Sequence, residues 1–314
     1  MKTCSRRTAR RPVPWSLLAS VWLALPALSA YGQTIDDGLM MSKRKLCTGF
    51  LYSHDSWSKY WEGHLKRDNG NVGTVTTQSV AWYGVYGVND RLNLIATMPY
   101  VWTGASAGTL RGMRGRQDVT VAAKYRLVKA AVTDRSALRA FVIGSVGAPT
   151  SDYTADFLPL SIGLASPRAS GRLTLNYHAQ QGWYANGTAS YTRRGSVGLD
   201  RPAYFTDGRL YLSDQVAMPD VFDYTVSAGY VTSRIQLPIS FTQQVTRGGG
   251  DIRRQDMPFV SNRMDFSRVD AVLMYYFVVP KNLALRLAAG HVVRGRNVGQ
   301  STTLTAGLLY TLSF

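Results

Sequence analysis

Thr303-Leu304-Thr305-Ala306-Gly307-Leu308-Leu309-Tyr310-Thr311-Leu312-Ser313-Phe314 ends the chain, and its pattern decides the fold. Leu304, Ala306, Leu308, Tyr310, Leu312 and Phe314 recur at every second position. Thr303, Thr305, Gly307, Thr311 and Ser313 lie between them, with Leu309 as the exception. Alternate side chains of an extended strand point to opposite faces, so this stretch is one strand with an apolar face and a small, polar face. It is longer than the usual five or six residues of a soluble strand. It reaches the roughly 9–11 residues that a tilted strand needs to cross a bilayer.

The same two-residue period works back along the chain. Val119, Val121, Ala123, Tyr125 and Leu127 alternate with Thr120, Ala122, Lys124 and Arg126. Leu173, Leu175 and Tyr177 alternate with Arg172, Thr174 and Asn176. Ile235, Leu237, Ile239 and Phe241 oppose Gln236, Ser240, Thr242 and Gln244, and Leu283, Leu285, Leu287 and Ala289 oppose Arg286 and small residues. The pattern predicts strands at about 45–54, 72–87, 91–102, 116–128, 136–149, 169–178, 182–194, 223–232, 234–247, 266–278, 283–294 and 301–314. Connections between them alternate short and long. The short ones centre on Asn89-Asp90, Asp134, Gln180, Ser233 and Lys281, and the long ones are 55–71, 103–115, 150–168, 195–222 and 248–265, with 295–300 the shortest of that set. Loops sorted by length in this way, with an even strand count, predict an all-β, transmembrane, antiparallel up-and-down β-barrel of about twelve strands over residues 45–314. Its short turns would be periplasmic and its long loops extracellular, in the outer membrane.

The start of the chain fits export. Lys2, Arg6, Arg7, Arg10 and Arg11 form a basic region, Trp15 to Leu28 an apolar one, and Ala30-Tyr31-Gly32 a small-residue cleavage site, so residues 1–32 read as a signal peptide. Its removal takes Cys4 away and leaves Cys47 alone, which excludes an internal disulfide. Residues 33–44 read as a periplasmic N-terminal segment, either a tail or a small plug, with Asp36-Asp37 as an exposed acidic pair. The net charge of +17 points to phosphate-rich lipid and lipopolysaccharide or to anionic solutes as partners. No nucleic-acid recognition motif is present. Aromatic residues near strand ends (Trp57, Tyr60, Trp61, Trp82, Tyr100, Trp102, Tyr184, Tyr191, Tyr275, Tyr276 and Phe277) suit the membrane–water boundary. Tyr310, Leu312 and the terminal Phe314 resemble the signal read by the outer-membrane insertion machinery.

Two stretches extend the comparison. Tyr86-Gly87-Val88-Asn89-Asp90-Arg91-Leu92-Asn93-Leu94 leads into Met98-Pro99-Tyr100-Val101, and Gly115-Arg116-Gln117-Asp118-Val119 is followed by Lys124-Tyr125-Arg126-Leu127. Over residues 84–127 this order resembles the outer-membrane barrel family named for the meta pathway of phenol degradation. The resemblance implies a transporter of hydrophobic compounds, similar in concept to the long-chain fatty-acid porins. The motif residues themselves describe a tight turn and a Pro-containing strand, which is architecture more than chemistry.

The face opposite the apolar stripe lines the lumen of such a barrel. Parity places Asp118, Lys124, Arg126, Arg172, Arg268, Asp270 and Arg286 there, five cations against two acids, which favours anions. The competing reading is interior ion pairing, for instance of Arg268 or Arg286 with Asp270. In the loop Arg247-Gly248-Gly249-Gly250-Asp251-Ile252-Arg253-Arg254-Gln255-Asp256, glycines permit sharp folding, and Asp251, Arg253, Arg254 and Asp256 are candidates for a constriction at the barrel mouth. His54-Asp55-Ser56 places a His and a Ser on one side of a strand but lacks a recognisable third group and oxyanion site, so no enzymatic activity is expected. The dispersed histidines suggest no metal, and no cofactor is expected. The sequence therefore predicts an outer-membrane pore or transporter for small, hydrophobic or anionic molecules, with a closed structural or surface-interaction barrel as the alternative. Deleting Phe314 is expected to lower the yield of heat-modifiable barrel in cell envelopes, as read by gel mobility, while leaving refolding in detergent unchanged.

Overall fold

The computed structural model describes residues 34–253 and 259–314; the expected signal peptide lies outside the described residues. Twelve long strands make the architecture: β1 (Lys45–Trp57), β2 (Val75–Asn89), β3 (Leu92–Ala105), β4 (Val119–Thr133), β5 (Ser136–Ala148), β6 (Arg168–Ala179), β7 (Trp183–Arg194), β8 (Asp220–Val231), β9 (Ile235–Arg247), β10 (Asp265–Tyr276), β11 (Leu283–Arg296) and β12 (Thr302–Ser313). Each pairs antiparallel with the next, and β1 pairs with β12 from Lys45↔Ser313 to Ser56↔Thr302, so the sheet closes on itself. All twelve expected strands are present, six of them longer than expected and six shorter.

The turns follow from local chemistry. At the β2–β3 turn the Asn89 side-chain oxygen accepts hydrogen bonds from the Arg91 and Leu92 amides at 2.8 and 2.9 Å. At the β8–β9 turn Thr232 Oγ1 does the same for Arg234 and Ile235. Short polar side chains stand in for backbone partners, so the chain reverses within a few residues. These turns share one end of the barrel with Lys45 and Ser313, and the long connections share the other.

Alternation sorts the side chains. Phe50, Val80, Leu94, Val121, Leu173, Ile239 and Leu308 are exposed on the outer face. Thr174, Asn176, Asn186, Thr188, Ser190 and Gln236 are buried on the inner one. Inward polar groups bond across strands: Thr174 to Thr188 at 2.9 Å, Asn176 to Asn186 at 2.6 Å and Asn186 to Ser227 at 3.0 Å. Leu309, the exception in the terminal strand, faces inward and is buried among Met41, Cys47, Val85, Ile95 and Phe141. Tyr310, Leu312 and Phe314 lie on the opposite, exposed face. The expected aromatic belt needs correction at four positions. Tyr184 and Tyr276 share the inward parity of Asn186 and Met274 and are buried, Trp57 faces inward opposite Val75 and packs on the Val72–Val75–Leu160 cluster, and Trp61 is buried in a loop.

The long connections hold structure of their own. Hairpins Lys59–Glu62 with Leu65–Asp68 and Tyr204–Thr206 with Arg209–Tyr211, and the paired strands Ser196–Gly198 and Gln215–Ala217, lie in the loops. Ala155, Val197, Leu199, Tyr204, Val216, Met218 and Val260 form an apolar core that joins three of these loops. These segments are too short to give a legible period.

The β1–β12 seam depends on close approach. A Cβ at Gly49 would overlap the carbonyl oxygen of Leu308. Gly49→Val is expected to prevent closure and abolish the heat-modifiable mobility of the folded barrel on gels.

Candidate functional site

The site is the lumen, and residues 34–42 occupy part of it. The chain turns inward at the short-turn rim, where the Arg44 amide donates to Gly87 O at 2.8 Å and the Phe314 amide to Arg44 O at 3.0 Å. Met41 is buried against Val85, Ile95, Phe141 and Ile143 on the inner wall. Gly38 lies against Asn176 so closely that a Cβ there would overlap that side chain.

Lys124 anchors the segment. It faces inward from β4 and is fully buried. Its Nζ donates to Asp37 Oδ1 at 2.8 Å, to Asp37 O at 2.6 Å and to Thr34 O at 3.1 Å, which uses all three ammonium donors. Asp37 Oδ1 also accepts from the Leu39 amide at 3.0 Å, and Oδ2 from Thr34 Oγ1 at 3.1 Å. A buried charge is tolerated only when it is paired and bonded in this way. Arg172 of β6 forms an ion pair with Asp36. The acidic pair expected on an exposed tail thus contacts the lumen wall, because the inward cations need partners that their own strands do not provide.

Above the segment lies a cavity of about 330 Å³, bounded by Asp36, Asp37, Gln236, Thr242, Arg268, Asp270, Arg286, Thr303 and Thr305 among others. Arg268 Nε donates to Asp270 Oδ1 at 2.8 Å. Arg286 donates to Met274 Sδ at 4.0 Å, and among the described residues no carboxylate bridges it or Arg126. Asp118 sits at the long-loop end, where it accepts from Arg168 Nη1 at 2.6 Å and Tyr153 Oη at 2.7 Å and ties the β5–β6 loop to the wall. The expected excess of five cations over two acids is therefore smaller. Lys124, Arg172 and Arg268 are paired, and two of their partners come from a segment whose position strand parity does not specify.

The glycine-rich loop folds sharply, with Gly248 and Gly249 at φ of 104° and 79°. Asp251 forms two hydrogen bonds of 2.7 Å with the Arg296 guanidinium and a third of 2.7 Å with Asn297 Nδ2. Asn297 Oδ1 accepts from the Gly63 and Ile252 amides at 2.8 and 3.0 Å. Three connections are thus held at one point. The Arg253 guanidinium stacks 5.3 Å from the Phe205 ring. Asp251 and Arg253 join loops to one another; Arg254 and Asp256 lie outside the described residues. His54 and Ser56 share the outward parity of Phe50 and Tyr52, and no hydrogen bond joins them.

Two outcomes are expected. Lys124→Ala leaves Asp37 buried without its cation, a loss of about 3 kcal/mol or more. Hydrogen-exchange protection of residues 35–41 should fall at least ~100-fold, while the strands stay protected. Arg296 and Asn297 hold the Asp251 carboxyl down at about 2. A depressed acid stabilises the fold above its ordinary value and loses that contribution as pH falls through the lowered one. The clasp should therefore be intact at pH 5 and open between about pH 4 and 2, read as exchange of the Ile252 amide. Asp251→Asn should show weaker protection at all pH values and no such step.

A family model and a solved channel structure agree with this architecture. The family model described as "Putative MetA-pathway of phenol degradation" matches residues 68–308, about three quarters of the chain. The COG4313 outer membrane channel from Pseudomonas putida F1 superposes with a TM-score of 0.69 at 15% identity, covering 89% of this chain and 100% of that one. The NanC porin aligns with a TM-score of 0.43 at 12% identity, over 83% of this chain and 100% of its own. No curated protein matches in sequence. The matched region runs from the loop before β2 into β12, and on that ground the chain belongs to the family of outer-membrane barrels named for the MetA pathway of phenol degradation.

Proposed function

We propose that this protein is an outer-membrane channel for small anionic molecules, with residues 34–42 as a stopper that sets its closed state. The observation that carries this reading is the polar cavity inside a closed ring, with Arg286 in its wall and no carboxylate among the described residues bridging it. An unbridged guanidinium in a confined lumen attracts anions and repels cations. The outer face supports the membrane location, because a belt of exposed Leu, Val, Ile and Phe on every side is stable only against lipid. The polar lining favours anionic over hydrophobic cargo. A closed barrel is the second reading, favoured by the filled short-turn end.

Planar-bilayer recording separates the two. The wild-type barrel is expected to conduct weakly, and a variant lacking residues 34–42 to conduct several-fold more and to prefer anions. Arg286→Gln in the full-length chain should bring its anion preference toward neutrality, because Lys124 and Arg172 keep their carboxylate partners there. A deletion variant that folds, shows heat-modifiable mobility and stays silent would establish the closed barrel instead.

A further inference from the structure

β4 leaves β3 after Thr97↔Thr120, and a three-residue strand, Arg114–Arg116, takes its place on the ladder. Arg116 stands directly opposite Tyr100, and Arg114 opposite Trp102. Opposed residues of a ladder share a face. Tyr100 is exposed on the outer wall, so both guanidinium groups face outward. Gly115 between them faces in, where a Cβ would lie 3.1 Å from the Ile162 side chain. Tyr52 joins the patch, its ring 6.3 Å from that of Trp102, which is itself 6.3 Å from Tyr100. Arg111, Arg114 and Arg116 are exposed, and none is in an ion pair among the described residues.

We propose that Arg114 and Arg116, level with the rings of Trp102 and Tyr100 on the ladder, bind the phosphates of a glycolipid in the outer leaflet. The proposal rests on the membrane reading above, with the long loops on the outer side. Aromatic rings mark the boundary between hydrocarbon and headgroups. Two cations at that boundary, at the long-loop end, meet lipid phosphate rather than bulk water. A guanidinium presents a planar set of donors that matches phosphate oxygens two at a time. Residues i and i+2 on one face of a strand lie about 7 Å apart, close enough for both long side chains to reach a single headgroup. The acyl chains would then run down the apolar wall past Met98 and Leu94, both exposed below the rings.

Native mass spectrometry of the detergent-folded barrel tests this, with diphosphorylated lipid A, its enzymatically dephosphorylated form and phosphatidylethanolamine as probes. Wild type is expected to retain diphosphorylated lipid A at least ~10-fold better than either other lipid. The Arg114→Gln/Arg116→Gln double variant should lose that preference while keeping heat-modifiable mobility and wild-type conductance. Equal retention of phosphorylated and dephosphorylated lipid A by wild type would overturn the proposal without any variant. Unchanged preference in a folded double variant would overturn it as well. A wild-type chain that gives no heat-modifiable barrel in detergent would instead refute the membrane reading on which it rests.

Discussion

A sheet facing hydrocarbon has no water to satisfy its edges, so every strand must have a neighbour on both sides. The pairing of β1 with β12 meets that requirement here, over a register that runs the length of both strands. Much else follows from it. The count is even because both chain ends reach the same rim. The outer face is apolar, and the polar residues are confined to the inner one. Gly49 is needed in the first strand because a Cβ there would overlap the Leu308 carbonyl oxygen of the last.

Closure creates a second problem inside. A ring of twelve strands is wider than its inward side chains fill, and those side chains include lysine and arginine. Hydrogen bonds between neighbouring strands satisfy the small residues, as in Thr174–Thr188 and Asn176–Asn186–Ser227. They do not satisfy Lys124, whose partners must come from outside the sheet. Residues 34–42 supply them, with Asp37 and two backbone carbonyls on one ammonium. The same segment adds Ile35, Met40 and Met41 to the apolar cluster near the short-turn end. One short stretch of chain therefore pairs Lys124 and Arg172 and fills part of the lower lumen, and leaves the cavity and Arg286 above.

At the other end the loops hold one another through a small apolar core and the Asp251–Arg296–Asn297 clasp. Asn297 itself has a φ of 57°, a conformation that asparagine tolerates better than most residues. Its amide reaches the first, fifth and sixth long connections at once. The loops are thus braced from the barrel rim, independently of the segment below.

The strands, their number, the side of each that meets lipid and the ring they form were legible because a two-residue period is a local property of the chain. Inward placement of Lys124, Arg172, Arg268 and Arg286 follows from the same parity. What parity cannot express is the partner of an inward charge. Asp36 and Asp37 are far from Arg172 and Lys124 in sequence, outside any strand, and nothing in their spacing marks them as ligands of a lysine in β4. The outward row of Arg114 and Arg116 was hidden for a related reason: three residues are too few to show a period, and only pairing with β3 fixes their direction. Local alternation thus determined the wall of this protein. Its contents and its decorated rim were decided by tertiary structure, because charges buried in a closed ring take whichever partner the folded chain brings within reach.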